Sequence, residues 1–585
     1  MRWIANPPDP QVAATLVQEA NLSPLIAGLL ARRGITTAAA AAEYLNPQIS
    51  RLHSPYAMLG MKAAVERLRA AIANREKIVI YGDYDVDGTL AIVILKTAIE
   101  LCGGAAGFHV PHRIRDGYGM KDEVIEEAAA AGVRLIISVD TGIRAFAAAE
   151  TARRVGVDLI VTDHHLAEAG ELPRALAVLN PNQAGCAYPC KELCGAGVAF
   201  KIAQALLEEN GRAHLLPSFL KMVAIATVSD AVPLVGENRI FTKLGLEELR
   251  RPVNAGLKAL LKVAALDGGK FLDAGHIGFR LGPRLNAAGR MDVAQDVIEL
   301  FTTRDANRAG EIAEKLDQLN ASRQQEEART VAEIETFMDA DAARREPYCL
   351  VLEGEGWHRG VIGIVATRVV ERYHRPALVI ARDNASGEAH GSGRSISVFH
   401  LLEALEDESC RPLFTRFGGH AHAVGFALPC ENIAGLREAL DQYARRRLSA
   451  NDLEPMLEID AEVAPRQVTR ELAHELEKLA PFGLGNREPV FAWHGATLRQ
   501  PPRVMKEKHL KLRVGDDGCF FDALGWGMAQ RQQERPLDQG ERLDLAFSVE
   551  HNANPEFPGL QLILRDFKSV QVDPAEKHAE AAAQA

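Results

Sequence analysis

Cysteine is scarce. The 585-residue chain has eight, too few for a disulfide scaffold and suited to a reducing compartment. No uncharged apolar run reaches about 18 residues, so no membrane-spanning helix is expected. The opening Met-Arg-Trp-Ile-Ala-Asn-Pro-Pro-Asp-Pro has no signal-like apolar stretch. The expected location is the cytoplasm. Positive charge is not in excess either: 67 Lys and Arg stand against 78 Asp and Glu, a formal net charge of −11. That balance excludes wholesale coating of nucleic acid or an anionic membrane and leaves room for a local basic groove. There is no GKS or GKT phosphate loop. Gly354-Glu355-Gly356 and Gly391-Ser392-Gly393 are too short for a dinucleotide fingerprint. Cys186, Cys190 and Cys194 recur every fourth residue, but no His or fourth Cys lies near enough to complete a zinc site.

What is present reads as globular. Apolar residues make up 47% and charged residues 25%, which excludes a mainly disordered or fibrous chain. The length suits about four domains of roughly 150 residues. Residues 1–52 read as a short helical lead-in. From about residue 60 to 235, short β-branched runs alternate with amphipathic stretches. The runs are Lys77–Tyr81, Leu135–Val139, Leu159–Thr162 and Leu176–Leu179; the helical stretches cover 88–103, 121–131 and 143–155. This alternation predicts a parallel sheet covered on both faces. Residues 196–300 read as mostly helical. Residues 305–340, polar and nearly free of Gly and Pro, predict one long connecting helix. A second α/β segment follows to about 450. From about 455 the texture turns β-rich, which predicts a small barrel. The last dozen residues read as a tail.

The acidic residues fall where strands end. KIVIYGDYDVDG places Asp83, Asp85 and Asp87 after the first run and ahead of a helix. LIISVD ends in Asp140, LIVTDHH in Asp163, His164 and His165, and the helical KMVAIATVSD in Asp230. In an open parallel sheet the ligand crevice lies at the carboxyl ends of the strands. A single Asp there is commonly a helix N-cap; three successive strand ends converging on one crevice are more than capping needs. So many carboxylates cannot crowd together unless cations neutralise them or some stay protonated. The mixed Asp and His set favours Mn²⁺ or Mg²⁺ over a thiolate metal. Two such ions would clamp a phosphate ester for hydrolysis.

DYDVDG, SVDTG, VTDHH and ATVSDAVPL resemble the ordered motifs of the DHH phosphoesterase superfamily. RLGPRLNAAGRM, GWHRGVIGIVATR, GSGRS, FGGHAHAVGF and PFGLGNREPVF resemble its bacterial branch of single-strand-specific 5′→3′ exonucleases. The resemblance runs from about residue 50 to 570. It implies an α/β fold with a DHH parallel-sheet domain at 53–304, a connecting helix at 305–342, a second α/β (DHHA1-like) domain at 343–452, an OB-type barrel at 453–570 and a tail at 571–585. It also implies one ion held by Asp87, Asp140, His164 and Asp230, and a second by Asp85 and Asp140 with Asp83 near. Tyr81 stands where some members carry a His ligand, which would weaken the second site. His165 would face the scissile phosphate, and Asp163 would orient a neighbouring imidazole.

Arg280, Arg284 and Arg290, with Asn286, would contact phosphates as unpaired guanidinium groups. Ser392, Gly393 and Arg394 resemble a 5′-phosphate pocket, and Gly418, Gly419 and His420 match a GGH motif. Arg113 and Arg115 would meet the strand. In the barrel, Lys506, Lys508, His509, Lys511 and Arg513 form a basic run, with Phe520, Phe521 and Trp526 as stacking faces. The implied activity is removal of 5′-mononucleotides from single-stranded DNA in recombination and repair. The implied partners are a single-strand binding protein and a RecQ-type helicase, and the chain would be a monomer. Two other readings remain at this point: a hydrolase for cyclic dinucleotides or very short RNAs, and a catalytically dead DNA-binding scaffold.

Overall fold

The computed structural model describes residues 1–112, 117, 119–167, 170–269, 271–291, 294–516, 518–552 and 559–570. It divides into two compact units. One comprises Ile49–Pro455 with Gly483–Gly485; the other comprises Met1–Gln48, Met456–Phe482 and the chain from Asn486 onward.

In the larger unit the first five strands form an all-parallel sheet. Its order is Ala106–His109, Lys77–Gly82, Val133–Val139, Asp158–Thr162, Ala177–Leu179. Chain order reverses between Lys77–Gly82 and its two neighbours, so the crevice expected at a switch point opens at the carboxyl end of that strand. The β-branched runs are buried because helices cover both faces. Val86–Leu101 and Gly195–Glu209 bury Leu90, Ile94, Val198 and Ile202 on one side; Asp122–Ala130 and Phe146–Val155 bury Ile125, Ala148 and Ala152 on the other. The sequence-predicted strands are all present, lengthened or shortened by one or two residues at an end.

Beside this sheet lies a buried ion pair. Lys201 and Glu237 are 0% and 1% exposed, with Nζ 3.0 Å from Oε1. The Glu237 carboxylate also accepts from the Tyr188 hydroxyl and from the His53 amide at 2.9 Å. Removing one partner strands a charge in the core. Lys201→Met is therefore expected to destabilise this unit by about 3–5 kcal/mol, seen as a lower urea midpoint, whereas Lys201→Met with Glu237→Leu should recover part of the loss. An unchanged midpoint for the single variant would contradict this account.

The connecting helix is Ala306–Asp339, a single run of 34 residues capped by Asp305, whose carboxylate accepts from the Asn307 and Arg308 amides. Ala309, Ile312, Ala313 and Leu316 pack into the core of the first sheet; Ile334 and Met338 pack into the core of the second. The second sheet is mixed, in the order Arg416–His420, Ala423–Pro429, Glu388–Arg394, Ala377–Asp383, Leu350–Glu355.

The smaller unit is a closed barrel. Phe491–Leu498, Arg542–His551, Leu560–Ser569, Cys519–Gly525 and His509–Asp516 pair in that order, and Thr497 and Leu498 pair with Gly515 and Val514 to close the ring. Closure removes exposed sheet edges. The first residues of the chain belong here. Arg2–Ala5, a strand the Pro-rich sequence did not suggest, pairs in parallel with Met456–Ile459. The Trp3 indole donates to Asp566 at 2.7 Å. Helices Pro10–Glu19 and Pro24–Arg32 bury Leu16, Ile26, Leu29 and Leu30 in one core with Leu472, Leu476 and Phe491. Among the described residues no helix is long and apolar enough to cross a membrane.

Candidate metal centre and nucleic-acid surfaces

The turn after Lys77–Gly82 positions the first carboxylates. Asp85 caps the Val86–Leu101 helix, its Oδ1 accepting from the Gly88 amide at 3.0 Å, so capping and clustering coexist in one residue. Asp87, two residues on in the first turn of that helix, is buried with both oxygens at the start of Gly195–Glu209. Its Oδ1 accepts from the Ala196 amide at 2.8 Å and its Oδ2 from the Gly195 amide. A helix N-terminus is a favourable place for a carboxylate. Asp140 leaves its strand with φ +58°, a left-handed conformation rare for a non-glycine residue. The Ser138 hydroxyl, donating to the Thr141 carbonyl at 2.7 Å, braces that bend.

These groups converge. His164 Nε2 lies 3.2 Å from Asp140 Oδ1, 3.7 Å from Asp230 Oδ2 and 3.8 Å from Asp87 Oδ2. None of His164 Nε2, Asp140 Oδ1 or Asp230 Oδ2 has a hydrogen-bond partner, although all three are buried. Three sets of ligand atoms lie within 4.8 Å of one another: Asp87 with His164 and Asp230; Asp83 with Asp85 and Asp140; Asp140 with His164 and His165. Buried polar atoms that no protein group satisfies are costly. An all-oxygen and imidazole donor set fits a hard divalent cation.

The electrostatics agree. Burial, with repulsion from Asp87, Asp85, Asp230 and Asp83, holds the Asp140 carboxyl well above the usual carboxylate range. Burial and the charges of Asp87 and Asp85 do the same to Asp230, and burial with Asp87 raises Asp85. Burial lowers His164, which keeps its ring neutral as a metal ligand must be.

Asp163 stands behind this cluster. Burial acts against its charge, but the His165 hydrogen bond and charge, followed by the Ile143 amide, hold its carboxyl below the usual range. Its Oδ1 lies 2.7 Å from His165 Nδ1, and burial of His165 is outweighed by this contact, so the His165 pKa is raised. The ring stays half-exposed, 4.4 Å from that of His164. Tyr81 is buried, its hydroxyl donating to the Gly119 carbonyl at 3.2 Å.

Other parts of this framework carry no acidic motif and escaped the sequence reading. Asn180 and Asn182 donate to the carbonyls of His165 and His164, at 2.8 and 2.9 Å, and pin the loop. Asn follows Leu179 at the end of the fifth strand, a position that itself signals the crevice. Gly195, whose amide binds Asp87, has no side chain to notice. Cys186, Cys190 and Cys194 are buried in the apolar core, and none belongs to a candidate metal group among the described residues.

The expected phosphate contacts divide. Asn286 turns inward, its Oδ1 accepting from the Val86 amide at 3.2 Å, which ties its helix to the acidic turn. Arg284 is not unpaired: it meets Asp317 on the connecting helix at 2.8 Å and donates to the Arg280 carbonyl. Arg280 donates to the Ala264 carbonyl, and Arg290 to the Gly360 carbonyl at 2.9 Å. These arginines brace helices because carbonyls and a carboxylate from packed elements reach them. Arg113 and Arg115 lie outside the described residues.

In the second sheet, Ser392 and Arg394 point at the start of helix Ile362–Tyr373. A Cβ on Gly363 would sit 3.1 Å from Ser392 Oγ and 3.3 Å from Arg394 Nη2. Arg394 also reaches Ser392 Oγ and the Gly393 carbonyl. A hydroxyl and a guanidinium at a helix N-terminus suit a phosphate. Gly418 and Gly419 lie on the edge strand, separated from Glu388–Arg394 by Ala423–Pro429; Gly419 has φ +143° and abuts the Ala423 carbonyl, which a side chain would clash with. Burial, then the neighbouring His422, Arg394, His165 and His400, lower the pKa of His420. The GGH strand therefore lies within electrostatic reach of both the Ser392–Arg394 pair and the DHH loop.

On the barrel, Lys506 and Lys508 occupy the exposed turn before strand His509–Asp516. Lys511 and Arg513 share the Asp522 carboxylate, each at 2.9 Å, which offsets part of the charge of the basic run. Phe520 and Trp526 are exposed; Phe521 instead packs edge-on to Trp493 at the barrel core.

Comparison with known proteins agrees with this architecture. Residues 77–227 match the model "DHH family, N-terminal domain", residues 346–446 the DHHA1 domain and residues 459–566 the RecJ OB domain. The single-stranded-DNA-specific exonuclease RecJ of Escherichia coli K12 is 36% identical over 576 residues, covering 95% of this chain and 97% of its own. That of Bacillus subtilis 168 is 36% identical over 570 residues, covering 97% of this chain and 70% of its own. The crystal structure of Thermus thermophilus RecJ in complex with Mn²⁺ superimposes with a TM-score of 0.83 at 27% identity, covering 98% of this chain and 80% of that one. The same protein with Mg²⁺ gives 0.77 at 26% identity, over 98% and 79%. With its candidate metal-binding Asp and His groups, two α/β sheets and barrel, the chain belongs to the RecJ family of single-stranded-DNA-specific exonucleases.

Proposed function

We propose that this chain is a Mn²⁺- or Mg²⁺-dependent exonuclease that shortens single-stranded DNA from the 5′ end and releases 5′-mononucleotides. One observation carries the reading: buried carboxylates from a turn, a strand end and a helix end surround His164 Nε2, and that nitrogen and two of the facing oxygens, Asp140 Oδ1 and Asp230 Oδ2, have no hydrogen-bond partner. Asp87, Asp140, His164 and Asp230 would hold one ion; Asp85 and Asp140, with Asp83 near, the other. Bound there, divalent ions supply Lewis acidity toward the phosphoryl oxygens and lower the pKa of the attacking water.

The chain's own groups do the rest. Asp163 fixes the His165 ring through Nδ1, and the raised pKa of that imidazole lets it face a phosphate as a cation. Ser392, Gly393 and Arg394, beside Gly418, Gly419 and His420, would cap the terminal phosphate, so that an end but not an internal stretch reaches the cluster. Lys506, Lys508, Phe520 and Trp526 would hold the strand further along by charge and stacking. A net charge of −11 is compatible with this substrate: the basic groove is local, while acidic metal ligands and outer helices carry much of the negative charge. Single-strand binding protein and a RecQ-type helicase are the partners this activity calls for.

The test is direct. With Mn²⁺, a 5′-phosphorylated single strand labelled at its 3′ end should release unlabelled mononucleotides first, and a blunt duplex should resist. Release from the 3′ end, or faster turnover of cyclic dinucleotides than of a long strand, would overturn the proposal.

A further inference from the structure

Phe279 is the most exposed of the large apolar side chains described, at 81% of its surface. It sits in a five-residue π-helical turn, Ile277–Leu281, whose ends Ile277 and Leu281 are buried. The wider turn projects the intervening residues outward, and such turns recur at functional sites. Gly275, one turn before, leaves one side of the ring open: a Cβ there would come within 3.9 Å of Phe279 Cδ2.

The ring lines a cleft of about 520 Å³, which is room for a base and its sugar. The cleft adjoins the metal-ligand framework. Ser229, which precedes Asp230, lines it, as does Asn286, which binds the Val86 amide. Its far wall is set by charge. Glu327 takes Arg323 at 2.8 Å and Arg368 at 3.1 Å, and Glu371 takes Arg368 at 3.0 Å, so these two guanidinium groups are balanced by two carboxylates; Arg290, also on the lining, donates to the Gly360 carbonyl. Val331 and Ile364 add apolar surface. The occupant this wall fits is flat, with an apolar face and a polar edge.

We propose that Phe279 is a positioning residue that stacks on one base of the single strand as the strand approaches the acidic cluster, while the paired Arg323, Glu327 and Arg368 face that base's edge. The inference rests on the single-strand nuclease reading. An aromatic face accepts any base, so it would act without sequence preference. A duplex cannot offer an unstacked base to it, so Phe279 would favour single strands.

The test uses the full chain with Mn²⁺ and 5′-phosphorylated oligonucleotides carrying 2-aminopurine at successive positions from the 5′ end. In stopped flow the wild-type protein should quench one position before mononucleotide release. Phe279→Ala and Phe279→Leu should lose the quench at that position alone and raise KM about 5- to 100-fold, the range that base stacking covers. Phe279→Trp should restore both. An unchanged KM and quench in Phe279→Ala, or equal loss at every position, would overturn the inference while wild-type degradation of single strands leaves the nuclease reading intact. Failure of the wild-type protein to degrade single strands would instead remove that reading.

Discussion

Replacing Asp140 by Asn is expected to lower Mn²⁺-dependent cleavage about a thousandfold or more and, in the metal-free protein at neutral pH, to raise the thermal transition. Both outcomes come from one geometry. Asp140 belongs to two of the three ligand groups, and its Oδ1 is 3.2 Å from His164 Nε2 with no hydrogen bond of its own. With a cation bound, its charge is used; without one, burial and four neighbouring carboxylates oppose that charge. A carboxyl whose folded pKa lies above its unfolded value binds more protons when folded. Its stability contribution is present below the unfolded value of about 3.9 and is lost as pH rises through the folded one. Asp230 and Asp85 shift in the same direction. The metal-free wild-type protein should thus lose stability from about pH 4 toward neutrality, and Mn²⁺ should restore it. In EDTA, Asp140→Asn should melt above wild type at about pH 7.5, with the gap closing toward pH 4; in Mn²⁺ the order should reverse. Melting curves across pH with and without metal decide this. A variant that melts below wild type in EDTA, or that keeps the full Mn²⁺-induced shift, would show that Asp140 is no ligand.

The acidic positions were legible because their chemistry and their place coincide. Asp85, Asp140 and Asp163 each follow an apolar run, and a parallel sheet sends the ends of such runs to one edge. Asp230 was legible for another reason: an acidic residue closes an otherwise apolar helix, whose last turn holds it at the crevice. The sequence could not say what each arginine faces. Arg284 lies in a glycine-rich, basic stretch, yet Asp317, 33 residues away on the connecting helix, neutralises it. Phe520 and Phe521 are adjacent on one strand; alternation sends one to solvent and the other toward the core, and only the pairing register assigns them. The strand Arg2–Ala5 was hidden because its partner, Met456–Ile459, lies 454 residues further along the chain. A two-strand pairing of that separation leaves no local pattern. Main-chain donors are the least visible of all, since any residue can supply an amide.

Gly195 is such a case, and Gly195→Ala is expected to lower kcat/KM about a hundredfold, the scale on which small misplacements of catalytic groups act. An added Cβ would sit 2.5 Å from Asp140 Cβ and 2.7 Å from its Oδ1, closer than atoms pack. Asp140 cannot easily yield, because it already holds a left-handed φ at the end of a central strand and the Ser138–Thr141 hydrogen bond braces the bend. If the helix gives way instead, the Gly195 and Ala196 amides leave Asp87. Either movement misplaces a proposed metal ligand through a residue that has no functional group. Gly197→Ala is the control: its Cβ would meet Leu193 at 3.4 Å, an ordinary contact, in a helix where Ala is favoured over Gly. Steady-state rates and Mn²⁺ titrations of the two variants separate the cases. Gly197→Ala should match wild type in both, whereas Gly195→Ala should need more Mn²⁺ for half-maximal rate. Equal behaviour of the two would mean that the close approach of this helix to Asp140 does not set the ligand geometry.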